Sequence, residues 1–211
     1  MTGRSAEPVE RTDGARVPEE LVDYVDAADR PVRRGPRGRA GELGLHYRVA
    51  ATVCLAPGGL VLVYRRPAAA PVYGGCHDVL IGGSVRAGES YQGAAGRELA
   101  EELGLRLAPR EIYRARQDSP IGPCWLAVHQ AELPDGAALR PDRAELDWYG
   151  LVPAADVLAG GHEPFVPAGR AALARLLDRH PRSTESTDDH HRPTPRPTRR
   201  PADQGAAAAL P

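Results

Sequence analysis

Runs of β-branched and aliphatic residues, separated by turns rich in glycine and proline, mark out most of the chain up to residue 158. These runs predict strands over residues 20–26, 47–55, 60–64, 111–117, 124–133 and 146–152. Gly58 and Gly59 separate the second run from the third, which predicts a hairpin of two antiparallel strands. We expect residues 29–31 to turn, residues 37–42 to form a loop or the start of a short helix, and residues 68–77 to form a loop.

Helical spacing occurs in the stretch after Ser90 and again over residues 167–180. Ser90 is a good N-cap residue, and Gly104 stands where a helix ends in a left-handed residue. The first helix carries an apolar stripe at intervals of four residues, formed by Ala95, Leu99 and Leu103. Residues 154–158 predict one further helical turn. This order of elements predicts an α/β fold in which a mixed sheet lies between helices.

Composition limits the classes of function. The formal net charge of the 211 residues is −1, which argues against a nucleic-acid polymer as partner. No apolar run reaches the length of a membrane span, and the N-terminus lacks the apolar core of a signal peptide. The cysteines, Cys54, Cys76 and Cys124, have no metal-binding spacing. We therefore expect a cytoplasmic protein without a membrane partner.

The two ends of the chain differ from its middle. Residues 1–18 are polar and patternless, and residues 181–211 are rich in proline, arginine, threonine and alanine with almost no core-forming residues. We expect both segments to be disordered. Residues 19–180 are then left as a single folded domain.

The helix after Ser90 carries the candidate chemistry. Glu98, Glu101 and Glu102 are spaced i, i+3 and i+4, so they share one face, where their charges repel each other. A helix that keeps such a cluster is suited to binding cations. Carboxylate ligands without histidine or cysteine partners favour a hard ion, Mg²⁺ or Mn²⁺.

Neighbouring residues complete this arrangement. Arg97 lies beside the acidic cluster, and Glu89, in the loop before the helix, is the natural partner to hold it in place. At Gly82 and Gly83 the backbone can approach a ligand closely, so that a bare carbonyl can complete a metal's coordination shell. The pattern indicates a site for the diphosphate group of a small substrate.

The stretch GSVRAGESYQGAAGRELAEELGL, from Gly83 to Leu105, resembles the Nudix box of hydrolases that cleave diphosphates linked to another group. The resemblance implies an α/β/α sandwich with a mixed sheet, and a Mg²⁺-dependent hydrolase acting on a small nucleoside-diphosphate-linked or related metabolite through metal-activated water. It makes Gly82 a metal ligand through its carbonyl, beside Glu98, Glu101 and Glu102. It also makes Glu145 a further acidic residue near the metals. Glu98, Glu101 and Glu145 stay open as the general base.

Substrate binding is predicted at Gly83 and at the end of the strand before the box. Arg65 and Arg66 follow that strand, and one of them is expected to reach a phosphate. A solvated strand end is the alternative for both arginines.

Segments outside the box resemble the branch of the Nudix superfamily related to isopentenyl-diphosphate isomerase. They are residues 21–26, 45–48, 64–66 and 73–75, followed by Asp78. The isomerase uses a cysteine about where Gly82 stands, and glycine cannot transfer a proton. The chain is therefore expected to be a hydrolase rather than an isomerase, and is compatible with a homodimer. A Nudix domain that senses a nucleotide without cleaving it is the second alternative, against which the complete box argues.

Overall fold

Nine strands and three α-helices make up the part of the chain that the computed structural model describes, residues 20–119 and 122–179. The strands are β1 (Leu21–Val25), β2 (Pro31–Pro36), β3 (Tyr47–Ala56), β4 (Leu60–Arg65), β5 (His77–Asp78), β6 (Leu80–Ser84), β7 (Arg110–Ser119), β8 (Gly122–Glu132) and β9 (Trp148–Pro153). The helices are α1 (Tyr91–Leu103), α2 (Ala154–Leu158) and α3 (Pro167–Arg179). Both segments predicted to be disordered, residues 1–18 and 181–211, lie outside the described residues.

A mixed seven-stranded sheet is built around β3. This strand pairs in parallel with β8, which pairs antiparallel with β7. On its other edge β3 pairs antiparallel with β6 over half of its length, from Val49 to Val53. The predicted hairpin between β3 and β4 is paired at two positions only, whereas β4 pairs with β9 along its whole length and with β5 at its last two residues. The glycine-containing strand β6 therefore lies next to the centre of the sheet.

Helices cover both faces of this sheet. On one face Leu99 and Leu103 of α1 pack with Cys54 and Ile81 of the sheet, and all four are fully buried. On the other face α2 and α3 pack on the valines of β3 and β4. Burial on both faces explains why β3 and β4 are almost continuously apolar. The arrangement is a three-layer α/β/α sandwich, which confirms the predicted fold class.

Both ends of α1 form as predicted. The Ser90 hydroxyl accepts a hydrogen bond from the Gly93 amide at 3.0 Å, which caps the start of the helix. Gly104 adopts a left-handed conformation with φ of 69°, and its amide donates to the carbonyl of Ala100. These two caps fix where the acidic face of α1 begins and ends relative to the sheet.

The pattern of apolar residues did not predict β2. This strand has the sequence PVRRGP, without an alternation of apolar and polar residues, and its first four residues are exposed. It pairs only with β1, antiparallel, to form a separate two-stranded hairpin. Two short 3₁₀ turns, Arg37–Arg39 and Gly41–Leu43, then lead into β3, where a loop or short helix was expected.

The longest helices in the described part of the chain, α1 and α3, have 13 residues each. None of the helices described there is long and apolar enough to span a bilayer.

Candidate active site

An open cavity of about 690 Å³ lies against the acidic face of α1. Strand β6, the 3₁₀ turns after β2 and the loop before β9 form other parts of its walls. Eight residues predicted from the sequence line it: Arg66, Gly82, Gly83, Arg97, Glu98, Glu101, Glu102 and Glu145. The fold therefore gathers into one cavity residues that are up to 79 positions apart in the chain.

Two carboxylates of α1 are buried at this cavity. Glu98 is 9% and Glu102 is 8% exposed, whereas the Glu101 side chain is 49% exposed. Burial, followed by the charges of Glu98 and Glu145, raises the pKa of Glu102 to about 8, although the Gly82 amide donates to its Oε1 at 3.1 Å. Burial also raises the pKa of Glu98, and Arg97 offsets part of this effect. The protein thus holds two acidic groups where a negative charge is costly without a nearby cation.

Arg97 ties the acidic residues together. Its Nε and Nη2 donate to the two carboxylate oxygens of Glu89, each at 3.0 Å, as the predicted pairing requires. Its Nη1 donates to Glu98 at 2.7 Å and to Glu101 at 3.0 Å, and its Nη2 also donates to the carbonyl of Ser84. Burial lowers the pKa of Arg97, but these bonds outweigh that effect and raise it. Arg97 therefore stays charged and orients two of the glutamates.

The two glycines of β6 leave space that side chains would fill. A Cβ atom at Gly83 would lie 2.6 Å from Oε1 of Glu98. A Cβ atom at Gly82 would overlap the carbonyl oxygen of Ala50 on the neighbouring strand β3. The absence of side chains lets β6 pass close to both β3 and α1, and this places backbone polar groups beside the glutamates.

Glu145 lies on a loop that is held to the end of α1 by backbone hydrogen bonds. The Arg140 amide donates to the carbonyl of Leu103 and the Asp142 amide to that of Glu102, each at 2.8 Å. Glu145 is exposed, and no cation of the described residues pairs with its carboxylate. Since its charge raises the pKa of Glu102, the two carboxylates face the same space.

The structure separates the two arginines that follow β4. Arg66 lines the cavity, and its Nε donates to the carbonyl of Val72 at 3.1 Å. Arg65 does not line it: its Nε donates to Asp147 at 2.9 Å, in an ion pair that is open to solvent. Successive residues of a strand point to opposite sides, which explains the difference. Of the two, only Arg66 is placed to contact a substrate in this cavity.

A smaller space of about 120 Å³ adjoins the main cavity and shares Val49, Arg66 and Gly82 with it. Most of its other lining residues are apolar and come from β3, β6, β8 and the start of α3. Asp78 at its wall is buried, which raises its pKa to about 7, while the amides of Val79 and Leu80 donate to its Oδ1. This space can take an apolar or neutral group attached to a ligand in the main cavity.

The candidate metal ligands of the site are all oxygen atoms. In the described ranges, no three acidic, histidine or cysteine side chains already converge as metal ligands. Glu98 and Glu101 instead bind Arg97. The buried, mutually repelling carboxylates of Glu98 and Glu102 nevertheless suit a hard divalent cation, because its charge would offset the cost of ionising them.

The sequence did not single out Arg37, Ser84 or Arg86, which also line the cavity. Arg37 follows β2, and its Nη1 donates to Oγ of Ser84 at 3.3 Å. No sequence signal could have found it, because 47 residues separate the two partners and the strand that brings them together was not predicted.

Comparisons with known proteins agree with this fold. The NUDIX domain model matches residues 45–176. A Nudix hydrolase of Streptomyces coelicolor is 38% identical over 162 residues, 75% of this chain and 88% of that protein. A Nudix hydrolase of Pseudomonas aeruginosa is 37% identical over 171 residues, 75% of this chain and 94% of that protein. The crystal structure of DR0079 from Deinococcus radiodurans aligns with a TM-score of 0.60 at 21% identity, covering 74% of this chain and 98% of that one.

The chain therefore belongs to the Nudix family, and it is a hydrolase of pyrophosphate-containing compounds, the class of phosphorus-containing anhydrides. Nudix hydrolases generally use divalent metals. The narrower resemblance to the branch of isopentenyl-diphosphate isomerase stays a prediction.

Proposed function

We propose that the protein is a Mg²⁺-dependent hydrolase that cleaves the P–O–P linkage of a small nucleoside-diphosphate-linked or related metabolite. The observation that carries this proposal is the pair of buried carboxylates, Glu98 and Glu102, on the wall of an open cavity that also presents arginines. Ionising buried carboxylates costs free energy unless a cation is nearby, and the positive arginines complement the negative charge of phosphate oxygens. The folded hydrolase domain is proposed to span residues 19–180.

Glu98, Glu101, Glu102 and the carbonyl of Gly82 would hold the metal. A purely oxygen donor set favours Mg²⁺, with Mn²⁺ as the substitute. Bound divalent cations supply positive charge that neutralises the diphosphate oxygens and makes water a better nucleophile. Glu98 and Glu101 would give up hydrogen bonds to Arg97 when they bind a cation, while Glu89 keeps Arg97 in position.

Glu145 is the best placed general base of the three candidates. Glu98 and Glu101 each accept a hydrogen bond from Arg97 and are proposed metal ligands, so their oxygens are already engaged. Glu145 shares the cavity without a cationic partner among the described residues. A carboxylate oxygen of Glu145 takes a proton from the attacking water while the water oxygen forms a bond to phosphorus. The bond from phosphorus to the bridging oxygen breaks, which leaves two phosphate-bearing products.

The remaining contacts orient the substrate. Arg66, which lines the cavity, binds a phosphate there, because its guanidinium fork matches the geometry of phosphate oxygens. Gly83 leaves the backbone exposed to the diphosphate. The adjoining space of about 120 Å³, which Arg66 and Gly82 also line, would take an apolar or neutral part of the group to which the diphosphate is attached.

Isomerase chemistry finds no support at Gly82. A cysteine there would place its Cβ in overlap with the carbonyl oxygen of Ala50. The glycine therefore belongs to the close packing of β6 on β3, and no proton-transferring side chain occupies this position.

The test is release of phosphate or pyrophosphate from nucleotide sugars, dinucleotide cofactors, nucleoside triphosphates and prenyl diphosphates, with Mg²⁺ and with Mn²⁺. Glu102→Gln is the inactive comparison, because it keeps the size of the side chain and removes its charge. Turnover of one class by the wild type and not by Glu102→Gln supports the proposal. Binding of a nucleotide without any turnover across the panel contradicts it and indicates the sensor.

A further inference from the structure

One wall of the active-site cavity comes from outside the matched Nudix region. The family model begins at residue 45, yet Glu20, Arg37, Gly38 and Gly41 line the cavity. They belong to the β1–β2 hairpin and to the 3₁₀ turns that follow it. The hairpin is therefore part of the site's surface as well as of the fold.

Backbone contacts fix the hairpin to the loop that precedes α1. The Ala87 amide donates to the carbonyl of Leu21 at 2.9 Å, and the Gly88 amide donates to Oδ2 of Asp23 at 2.6 Å. At the base of the hairpin, the Arg37 amide donates to the carbonyl of Glu20 at 3.0 Å. These bonds join the hairpin to the part of the Nudix box that precedes α1. The backbone of Arg37 therefore has a defined position relative to α1.

Among Arg37, Arg86 and Arg97, which all line the cavity, the side chain of Arg37 makes the fewest hydrogen bonds and ion pairs. Arg97 is saturated by carboxylates and the Ser84 carbonyl, and Arg86 pairs with Glu101 and Glu20. Arg37 donates to the hydroxyl of Ser84 at 3.3 Å and forms no ion pair with a carboxylate of the described residues. The residue is exposed and lines the cavity.

Ser84 links Arg37 to the metal-binding side of the cavity. Its carbonyl accepts a hydrogen bond from Arg97, and its hydroxyl accepts one from Arg37. The Ser84 side chain is itself buried, with 4% of the residue exposed. Arg37 is consequently held next to Gly83, whose backbone lies against the carboxylate of Glu98.

We propose that Arg37 binds a phosphate group of the substrate, so that the N-terminal hairpin is a substrate-binding element of this enzyme. The inference rests on the proposed function, which supplies the diphosphate. An uncompensated guanidinium beside a diphosphate cavity can form paired, charge-assisted hydrogen bonds with phosphate oxygens. Arg37 and Arg66, which both line the cavity, then contact the phosphates, and Arg97 remains paired with Glu89.

The closest alternative is that Arg37 only fastens the hairpin to β6 through Ser84. That role predicts a loss of stability when Arg37 is replaced, without a specific change in phosphate binding. Arg39 is the matched control: it lies in the same exposed 3₁₀ turn and pairs with Glu42 at 3.3 Å, but it does not line the cavity.

The experiment is calorimetric titration of inorganic pyrophosphate, in the presence of Mg²⁺, into the full chain and its Arg37→Gln, Arg37→Lys and Arg39→Gln variants. We expect Arg37→Gln to raise Kd at least about tenfold, Arg37→Lys to restore part of the loss, and Arg39→Gln to change Kd less than about twofold. Melting temperatures should be alike for all four proteins. Equal Kd values for Arg37→Gln and the wild type overturn the inference, as does an equal loss in Arg39→Gln.

Failure of this inference is distinct from failure of the hydrolase proposal. If the wild type turns over a diphosphate and Arg37→Gln changes neither Kd nor KM, only the role of Arg37 is wrong. If pyrophosphate binding depends on Arg37 but no diphosphate is cleaved, the proposed hydrolysis is wrong and the binding role stands. A wild type that binds no pyrophosphate overturns the role of Arg37.

Discussion

Replacing Glu102 by glutamine is expected to change the pH dependence of stability as well as the activity. In the metal-free protein the pKa of Glu102 is raised from 4.5 to about 8, first by burial and then by Glu98 and Glu145. The folded state therefore binds a proton that the unfolded chain releases between these two values. This contribution to stability is fully present below pH 4.5 and is lost as the pH rises through about 8.

The size of the effect follows from the shift. Each pH unit between the two pKa values costs the metal-free wild type up to about 1.4 kcal/mol of unfolding free energy. Glu102→Gln has no such titration, and its amide oxygen can still accept the Gly82 N–H. The stability of the variant relative to the wild type should therefore increase by about 2 to 3 kcal/mol between pH 5 and pH 7. Any pH-independent cost of the amide cancels in this comparison.

The assay is urea unfolding at pH 5 and pH 7 in the presence of a metal chelator. Glu132→Gln is the control, because Glu132 is an exposed residue at the end of β8 that does not line the cavity. Added Mg²⁺ should raise the melting temperature of the wild type more than that of Glu102→Gln. A stability difference between Glu102→Gln and the wild type that stays constant, or that decreases toward pH 7, would show that folding does not raise the pKa of Glu102.

Three further substitutions test the packing and the roles of single residues. Gly83→Ala should lower kcat about 100-fold, because its Cβ would displace Glu98; unchanged steady-state kinetics would contradict this. Glu145→Gln should lower kcat about 100-fold with little change in KM or melting temperature, and full activity would exclude it as the base. Gly169→Ala should destabilise by about 1 to 3 kcal/mol in urea, since its Cβ would overlap Oδ1 of Asp78, whereas helix propensity alone would stabilise.

Local signals in the sequence predicted much of the fold. The caps of α1 are set by Ser90 and Gly104, which act within a few residues of the helix they bound, and both form as expected. Strands β3, β4 and β8 were recognisable because each is buried on both faces or carries a long apolar run. Strand β2 has no buried face of its own, so its hydrogen bonds to β1 are the feature that defines it, and these are not visible in its composition.

The features of the site also divide into those that local sequence predicts and those that depend on packing between distant segments. The pairing of Arg97 with Glu89 was predictable because Glu89 lies in the loop just before α1, only eight residues ahead of Arg97. Which of Arg65 and Arg66 faces the cavity depends on the direction of the last strand residue, and two adjacent arginines do not reveal it. The burial that raises the pKa of Glu102 comes from packing between α1, β6 and a distant loop, and therefore could not be read from the spacing of the glutamates.

The most direct test of the central claim compares kcat/KM of the wild type, Glu102→Gln and Glu132→Gln on the diphosphate that the substrate panel yields, with Mg²⁺ present. We expect kcat/KM of Glu132→Gln to equal that of the wild type, and kcat/KM of Glu102→Gln to fall at least about 1,000-fold while the variant stays folded. Turnover by Glu102→Gln within about tenfold of the wild type would contradict the claim that the buried carboxylates of α1 carry out diphosphate hydrolysis.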